Sequence, residues 1–132
     1  MKIDHIGIAV KSLDQSVRVY RDVIGLDVAG YDQVDEQGVR VAMLSIGESR
    51  IELLEPITPE SPVEKFMNKR GEGIHHIAVR VDKIEEALER FKAAGARLID
   101  STPRIGAHNT RIAFVHPAST NGVLLELVEH GE

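Results

Sequence analysis

One module of about seventy residues occurs twice in this chain, and that duplication constrains the fold more than any other feature. Asp4-His5-Ile6-Gly7-Ile8-Ala9-Val10 returns as His75-His76-Ile77-Ala78-Val79-Arg80-Val81, an offset of 71 residues. Ile51-Glu52-Leu53-Leu54-Glu55 returns as Leu125-Glu126-Leu127-Val128-Glu129, an offset of 74. Each copy carries a histidine near the start of one strand pattern and a glutamate inside another. If the modules pair about a pseudo-twofold axis, His5, Glu52, His76 and Glu126 converge on one point. Two imidazoles and two carboxylates suit a divalent first-row metal with open coordination positions.

Strict alternation over Ile6, Ile8 and Val10 predicts a half-buried strand with the aliphatic residues on one face and His5 on the other. Ser12 followed by Gln15 is a capping-box pattern, and Leu13, Val17, Tyr20 and Ile24 then recur at helical spacing up to Gly25. Strands are predicted at residues 26–31, 39–46 and 51–55, with turn chemistry at Asp35-Glu36-Gln37-Gly38 and Gly47-Glu48-Ser49. The first module therefore reads βαβββ. Thr58, Pro59, Ser61 and Pro62 break the pattern, and Val63, Phe66 and Met67 predict a short linking helix ending at Gly71. The pattern then restarts with a strand over 74–81 and a helix over 84–94, stopped by Gly95. Three further strands are predicted at 97–101, 111–116 and 123–128. The intervening loop, Pro103 to Asn109, is expected at the mouth of the site, since functional loops ride on rigid scaffolds. This is an α+β reading of residues 1–132 as a single domain: module one over about 1–57, a linker over about 58–72 and module two over about 73–132.

Composition narrows the partners. Hydrophobic residues make up 42% and charged residues 28%, the usage of a packed domain rather than a disordered chain. The formal charge is −5 and no basic run exists, so no nucleic-acid partner is expected. No stretch approaches the roughly 20 apolar residues of a membrane span, and Met1 leads directly into a strand pattern; no membrane partner and a cytoplasmic location are the expectation. With no cysteine, disulfides and thiolate metal sites are excluded.

A lone glutamate in a strand ordinarily faces water, and a lone histidine beside an apolar run is ordinarily a hydrogen-bonded structural residue. Agreement of both residue types in both copies argues against that reading, because a carboxylate centred in an apolar strand needs a partner or a cation. His75 faces away from His76 and is assigned packing or, at most, support of a ligand from behind. His108, His116 and His130 have no counterpart in the repeat, and only His108 is placed near the mouth of the site. There is no phosphate-binding glycine loop and no nucleophile elbow.

On three segments, 4–10, Gly73-Ile74-His75-His76-Ile77-Ala78 and above all His116-Pro117-Ala118-Ser119-Thr120-Asn121-Gly122-Val123-Leu124-Leu125-Glu126-Leu127, the chain resembles the vicinal oxygen chelate superfamily, and within it the methylmalonyl-CoA epimerase family. The resemblance covers essentially the whole length. It implies two paired βαβββ modules in a half-open, cupped, eight-stranded mixed sheet. It implies metal ligands at His5, His76 and Glu126, with a further liganding position at Glu52. A third-strand glutamate that serves as acid/base in one described member corresponds to Val41, so that role is not carried over.

The implied reaction is inversion at C2 of methylmalonyl-CoA, with an acyl-CoA thioester as substrate partner. A hard metal chelating the carboxylate and thioester carbonyl would lower the cost of the intervening enolate. Cobalt is the expected occupant in vitro, with nickel, manganese or zinc as alternatives. Proton removal and return need groups on both faces of the enolate, and Glu126 and Glu52 are the available pair, with Glu126 favoured as ligand and base. The rival enzymatic reading is a lactoylglutathione lyase on the same scaffold. A rival of another class is a non-catalytic binding or resistance protein, which would commonly lack this full ligand set. Curved sheets with open edges lead to the expectation of a homodimer.

Overall fold

The computed structural model describes residues 1–131. Eight strands form one mixed sheet: β1 (Lys2–Ala9), β2 (Asp27–Val34), β3 (Val39–Ile46), β4 (Ser49–Pro56), β5 (Gly73–Arg80), β6 (Arg104–Ile105), β7 (Thr110–Val115) and β8 (Leu125–His130). Their order is β2-β3-β4-β1-β5-β8-β7-β6, the mixed sheet expected of a duplicated βαβββ module. Three helices accompany them, α1 (Leu13–Val17), α2 (Pro62–Arg70) and α3 (Ile84–Ala93). By packing, the chain divides into two compact units, residues 5–75 and residues 1–4 with 76 onward.

In the unit of residues 5–75, β1 runs parallel to β4, while β2 and β3 continue antiparallel. Helix α1 lays Leu13 and Val17 on Val10, Ala42, Leu44 and Leu53, all almost fully buried. The opposite side of the same strands carries Ala9, Val39, Val41, Met43 and Leu54, against which α2 packs Val63, Phe66 and Met67. Both faces of β4 are thus covered where Leu53 and Leu54 point to them in alternation. For β1 the expected alternation of an aliphatic face and a histidine face holds, with Ile8 and Val10 among the residues packed with α1 and Ala9 among those packed with α2. His5, Gly7 and Ala9 are buried, whereas Ile6 and Ile8 are only half-buried.

The helix expected over 13–24 is α-helical only to Val17 and continues with π-helical winding over Arg18–Val23. Ile24 N–H reaches back to the Val19 carbonyl, closing a wider turn. An extra residue per turn rotates everything beyond it, so Ile24, placed by spacing on the buried stripe, is 57% exposed.

In the other unit, β5 runs parallel to β8, and β7 and β6 follow antiparallel. Helix α3 buries Ile84, Ala87 and Leu88 on Val81, Ala113, Val115 and Leu127. The strand expected over 97–101 is reduced to one bridge, Leu98 to Val115, and the short strand lies instead at Arg104–Ile105, inside the segment expected to be a loop. Backbone N–H groups of both Ile99 and Asp100 donate to the one Phe114 carbonyl, at 3.0 and 3.2 Å, and the Asp100 carboxylate accepts from Phe114 N–H. A side chain thus takes the place of a ladder bond and ends the pairing there.

Candidate metal centre

The register of each parallel pair explains how histidine and glutamate meet within each unit. In the first, β1 and β4 set Gly7 beside Glu52 and His5 beside Arg50. The Glu52 carboxylate lies 3.5 Å from His5 Nδ1 and 3.2 Å from Arg50 Nη2. In the second, β5 and β8 set Ala78 beside Glu126, and Glu126 Oε1 lies 3.1 Å from His76 Nε2. Phe114, the neighbour of Glu126 across β7, meets the His76 ring edge-on at 5.9 Å. Each small residue of the repeated strand therefore stands beside the glutamate of its own module.

His5, His76 and Glu126 are each 6% exposed. One donor atom from each lies within 4.8 Å of the others, which makes them the group of described residues able to share an ion. Two imidazoles and one carboxylate, all buried, fit a divalent transition metal that keeps positions open for oxygen ligands. Glu52 is not in that group, and its carboxylate meets His5 and Arg50 instead.

The second glutamate of each repeat does a different job. Glu55 accepts the Leu13 N–H at 2.9 Å and Glu129 accepts the Ile84 N–H at 2.9 Å, so each caps the first turn of its own module's helix. Arg40 pairs with Glu55, and Arg111 with both Glu129 and Glu85. The Ile84 N–H and then the Arg111 guanidinium hold the Glu129 carboxyl below the usual carboxylate range, and Arg111 does the same to Glu85. This device was missed in the sequence, although its signal is there: residues three apart on a strand point to opposite faces, so Glu55 and Glu129 must look toward the helices.

The remaining histidines fall as follows. His75 stacks edge-on against Phe66 at 5.1 Å, the packing role expected of it. His108 is exposed on a loop with a left-handed backbone, φ 54°. His116 caps the turn after β7 by accepting the Ala118 N–H. His130, which has no counterpart in the repeat, ends β8 with its Nε2 2.5 Å from the buried Asp4 carboxylate, residues 1–4 belonging to the same compact unit.

Comparison with known proteins supports the fold described above. The family model described as the Glyoxalase/Bleomycin resistance protein/Dioxygenase superfamily matches residues 4–114. A mitochondrial methylmalonyl-CoA epimerase of Dictyostelium discoideum is 42% identical over 97% of this chain and 78% of that protein. Among solved structures, a variant of the Streptomyces coelicolor methylmalonyl-CoA epimerase in complex with 2-nitronate-propionyl-CoA is 41% identical, with a TM-score of 0.94 over 99% of this chain and 95% of that one. A methylmalonyl-CoA epimerase in complex with methylmalonyl-CoA and ammonium is 41% identical, with a TM-score of 0.93 over 98% and 94%. A lactoylglutathione lyase of Haemophilus influenzae is more distant, at 30% identity over 98% of this chain and 93% of that protein. Sequence model, relatives and fold agree over nearly the full length, and the chain belongs to the glyoxalase/bleomycin resistance protein/dioxygenase superfamily, alongside its methylmalonyl-CoA epimerases.

Proposed function

We propose that this protein epimerises methylmalonyl-CoA at C2, interconverting its R and S forms, as a cytoplasmic homodimer that uses a divalent metal held by His5, His76 and Glu126. The observation that carries the reading is the buried group of two histidines and one carboxylate, in a chain whose relatives at 41–42% identity are named for this reaction. Bound there, a divalent cation supplies positive charge to the oxygens flanking C2. The work on the proton falls to the chain's own carboxylates. Glu126 is assigned removal of the C2 proton: its side chain is 8% exposed, shielded from bulk water, and stands against His76. Inversion also needs a proton donor for the opposite face of the planar carbanion, and that part is assigned to Glu52. Arg50, 3.2 Å away, holds the Glu52 carboxylate in place. Val41 packs among Ala9, Leu54 and Val63 and presents only hydrocarbon, and the Val41–Leu54 pair lies two positions along the β3–β4 ladder from the Met43–Glu52 pair. The carboxylate of this strand pair nearest the histidine is therefore Glu52.

The test is to give metal-loaded protein one epimer of methylmalonyl-CoA in deuterated water. Deuterium should enter C2 as the other epimer appears. Absence of both exchange and inversion in metal-loaded protein would reject the reaction.

A further inference from the structure

Several guanidinium groups of this protein are engaged by carboxylates. Arg111 is held by Glu85 and Glu129, Arg40 by Glu55, Arg21 by Asp22 and Arg50 by Glu52. Arg104 on β6 is held differently. Its Nε lies 3.1 Å from Asp100 Oδ1, and its Cζ sits 5.7 Å above the Phe114 ring. Neither contact engages Nη1 or Nη2, and the side chain is 44% exposed. Asp100 is itself anchored, since its other oxygen accepts the Phe114 N–H at 2.9 Å. The platform beneath the guanidinium leads to the chemistry: Phe114 is the cross-strand neighbour of Glu126 and meets the His76 ring at 5.9 Å. A carboxylate behind and an aromatic face below fix the plane of the fork while leaving both terminal amino groups for something else.

We propose that Arg104 is a substrate-binding residue whose fork grips an oxyanion of the acyl-CoA. The inference rests on the reading given under Proposed function. Methylmalonyl-CoA brings two sources of that chemistry, the malonyl carboxylate on the reacting carbon and the phosphates of the nucleotide. A planar guanidinium with two unengaged amino groups matches either with paired, charge-assisted hydrogen bonds, which a lysine ammonium cannot reproduce. The rival role is to pin the segment 100–106. A pin would show in stability and leave substrate affinity unchanged.

The experiment compares wild type, Arg104→Met and Arg104→Lys, all metal-loaded, with methylmalonyl-CoA and with methylmalonyl-pantetheine, which lacks the nucleotide. With the CoA thioester, Arg104→Met should raise KM about 10- to 100-fold, the worth of hydrogen bonds to a charged group. Its kcat should stay within about twofold, and Arg104→Lys should recover part of the loss because the charge remains. A KM defect that persists with the pantetheine thioester identifies the carboxylate as the gripped group, and one that disappears identifies the phosphates. An unchanged KM for the CoA thioester in Arg104→Met, whether or not the melting temperature falls, overturns the inference alone. If wild type neither binds nor turns over methylmalonyl-CoA, the functional reading fails and takes this one with it.

Discussion

Glu126 and Glu129 sit three residues apart on β8 and serve opposite faces, one standing beside a histidine and the other ending a helix. The same division separates Glu52 from Glu55 on β4. If Glu126 both holds the metal and moves the proton, Glu126→Gln should keep part of its metal affinity, because an amide oxygen still coordinates. Turnover should fall by about two to four orders of magnitude, the usual worth of a positioned general base. Metal titration and turnover on the same preparation check this, and inversion at near-normal rate in the metal-loaded variant would place the base elsewhere. Glu52→Gln separates ligand from base. If Glu52 serves the second face, C2 should continue to exchange with deuterium while inversion stops; loss of metal affinity with exchange and inversion slowed alike would make it a ligand.

At the scale of elements, the duplicated cap is the clearest physical argument. Helix α3 begins after Lys83, whose side chain makes no cap, so its first N–H depends on Glu129 arriving from β8. Glu129→Ala should cost about 1 kcal/mol at neutral pH, the typical value of a lost N-terminal cap. The pH dependence has a definite sign. A carboxyl whose value is lowered by folding stabilises fully above its unfolded value of about 4.3 and loses that contribution as pH falls through the lower folded value. Denaturant melts of wild type and Glu129→Ala should therefore differ most near neutrality and draw together below about pH 4. A constant difference from pH 7 to pH 3 would show that the loss is one of packing alone. Helix α1, by contrast, has Ser12 accepting the Gln15 N–H as well as Glu55 on Leu13, so Glu55→Ala should be the milder change.

For the molecule as a whole, metal and assembly are the quantities to measure. Chelation should abolish both C2 exchange and inversion, and lower the melting temperature, because an ion that binds only the folded state stabilises it by mass action. Cobalt should restore both, with nickel, manganese and zinc less complete; full activity in metal-stripped protein would remove the metal from the mechanism. The π-wound stretch leaves Val19, Val23 and Ile24 49%, 79% and 57% exposed, an apolar edge that a second copy of the chain would cover. Sedimentation at micromolar concentration should give a dimer that Val23→Asp weakens. A wild-type monomer throughout that range would contradict the proposed assembly.

Much of this protein was legible in the residues alone. Repetition at offsets of 71 and 74 residues predicted the duplicated βαβββ order, and strand alternation separated Glu52 from Leu53 and Glu126 from Leu127, because side-chain direction in a strand is local geometry. The matched positions pointed to four residues, His5, Glu52, His76 and Glu126; His5, His76 and Glu126 form a group that could hold an ion, and Glu52 is not part of it. Other features depended on pairing that no local pattern records. The winding that exposes Ile24 arises from backbone bonds that skip one residue farther than an α-turn, and residue spacing is silent about it. The β6 strand fell at Arg104–Ile105 because the Asp100 side chain displaced a ladder bond on Phe114. Asp4 beside His130 and Arg104 above Phe114 are meetings of residues from different strands. A sequence states which groups a face carries, but which groups touch is settled by register and by packing between elements distant along the chain.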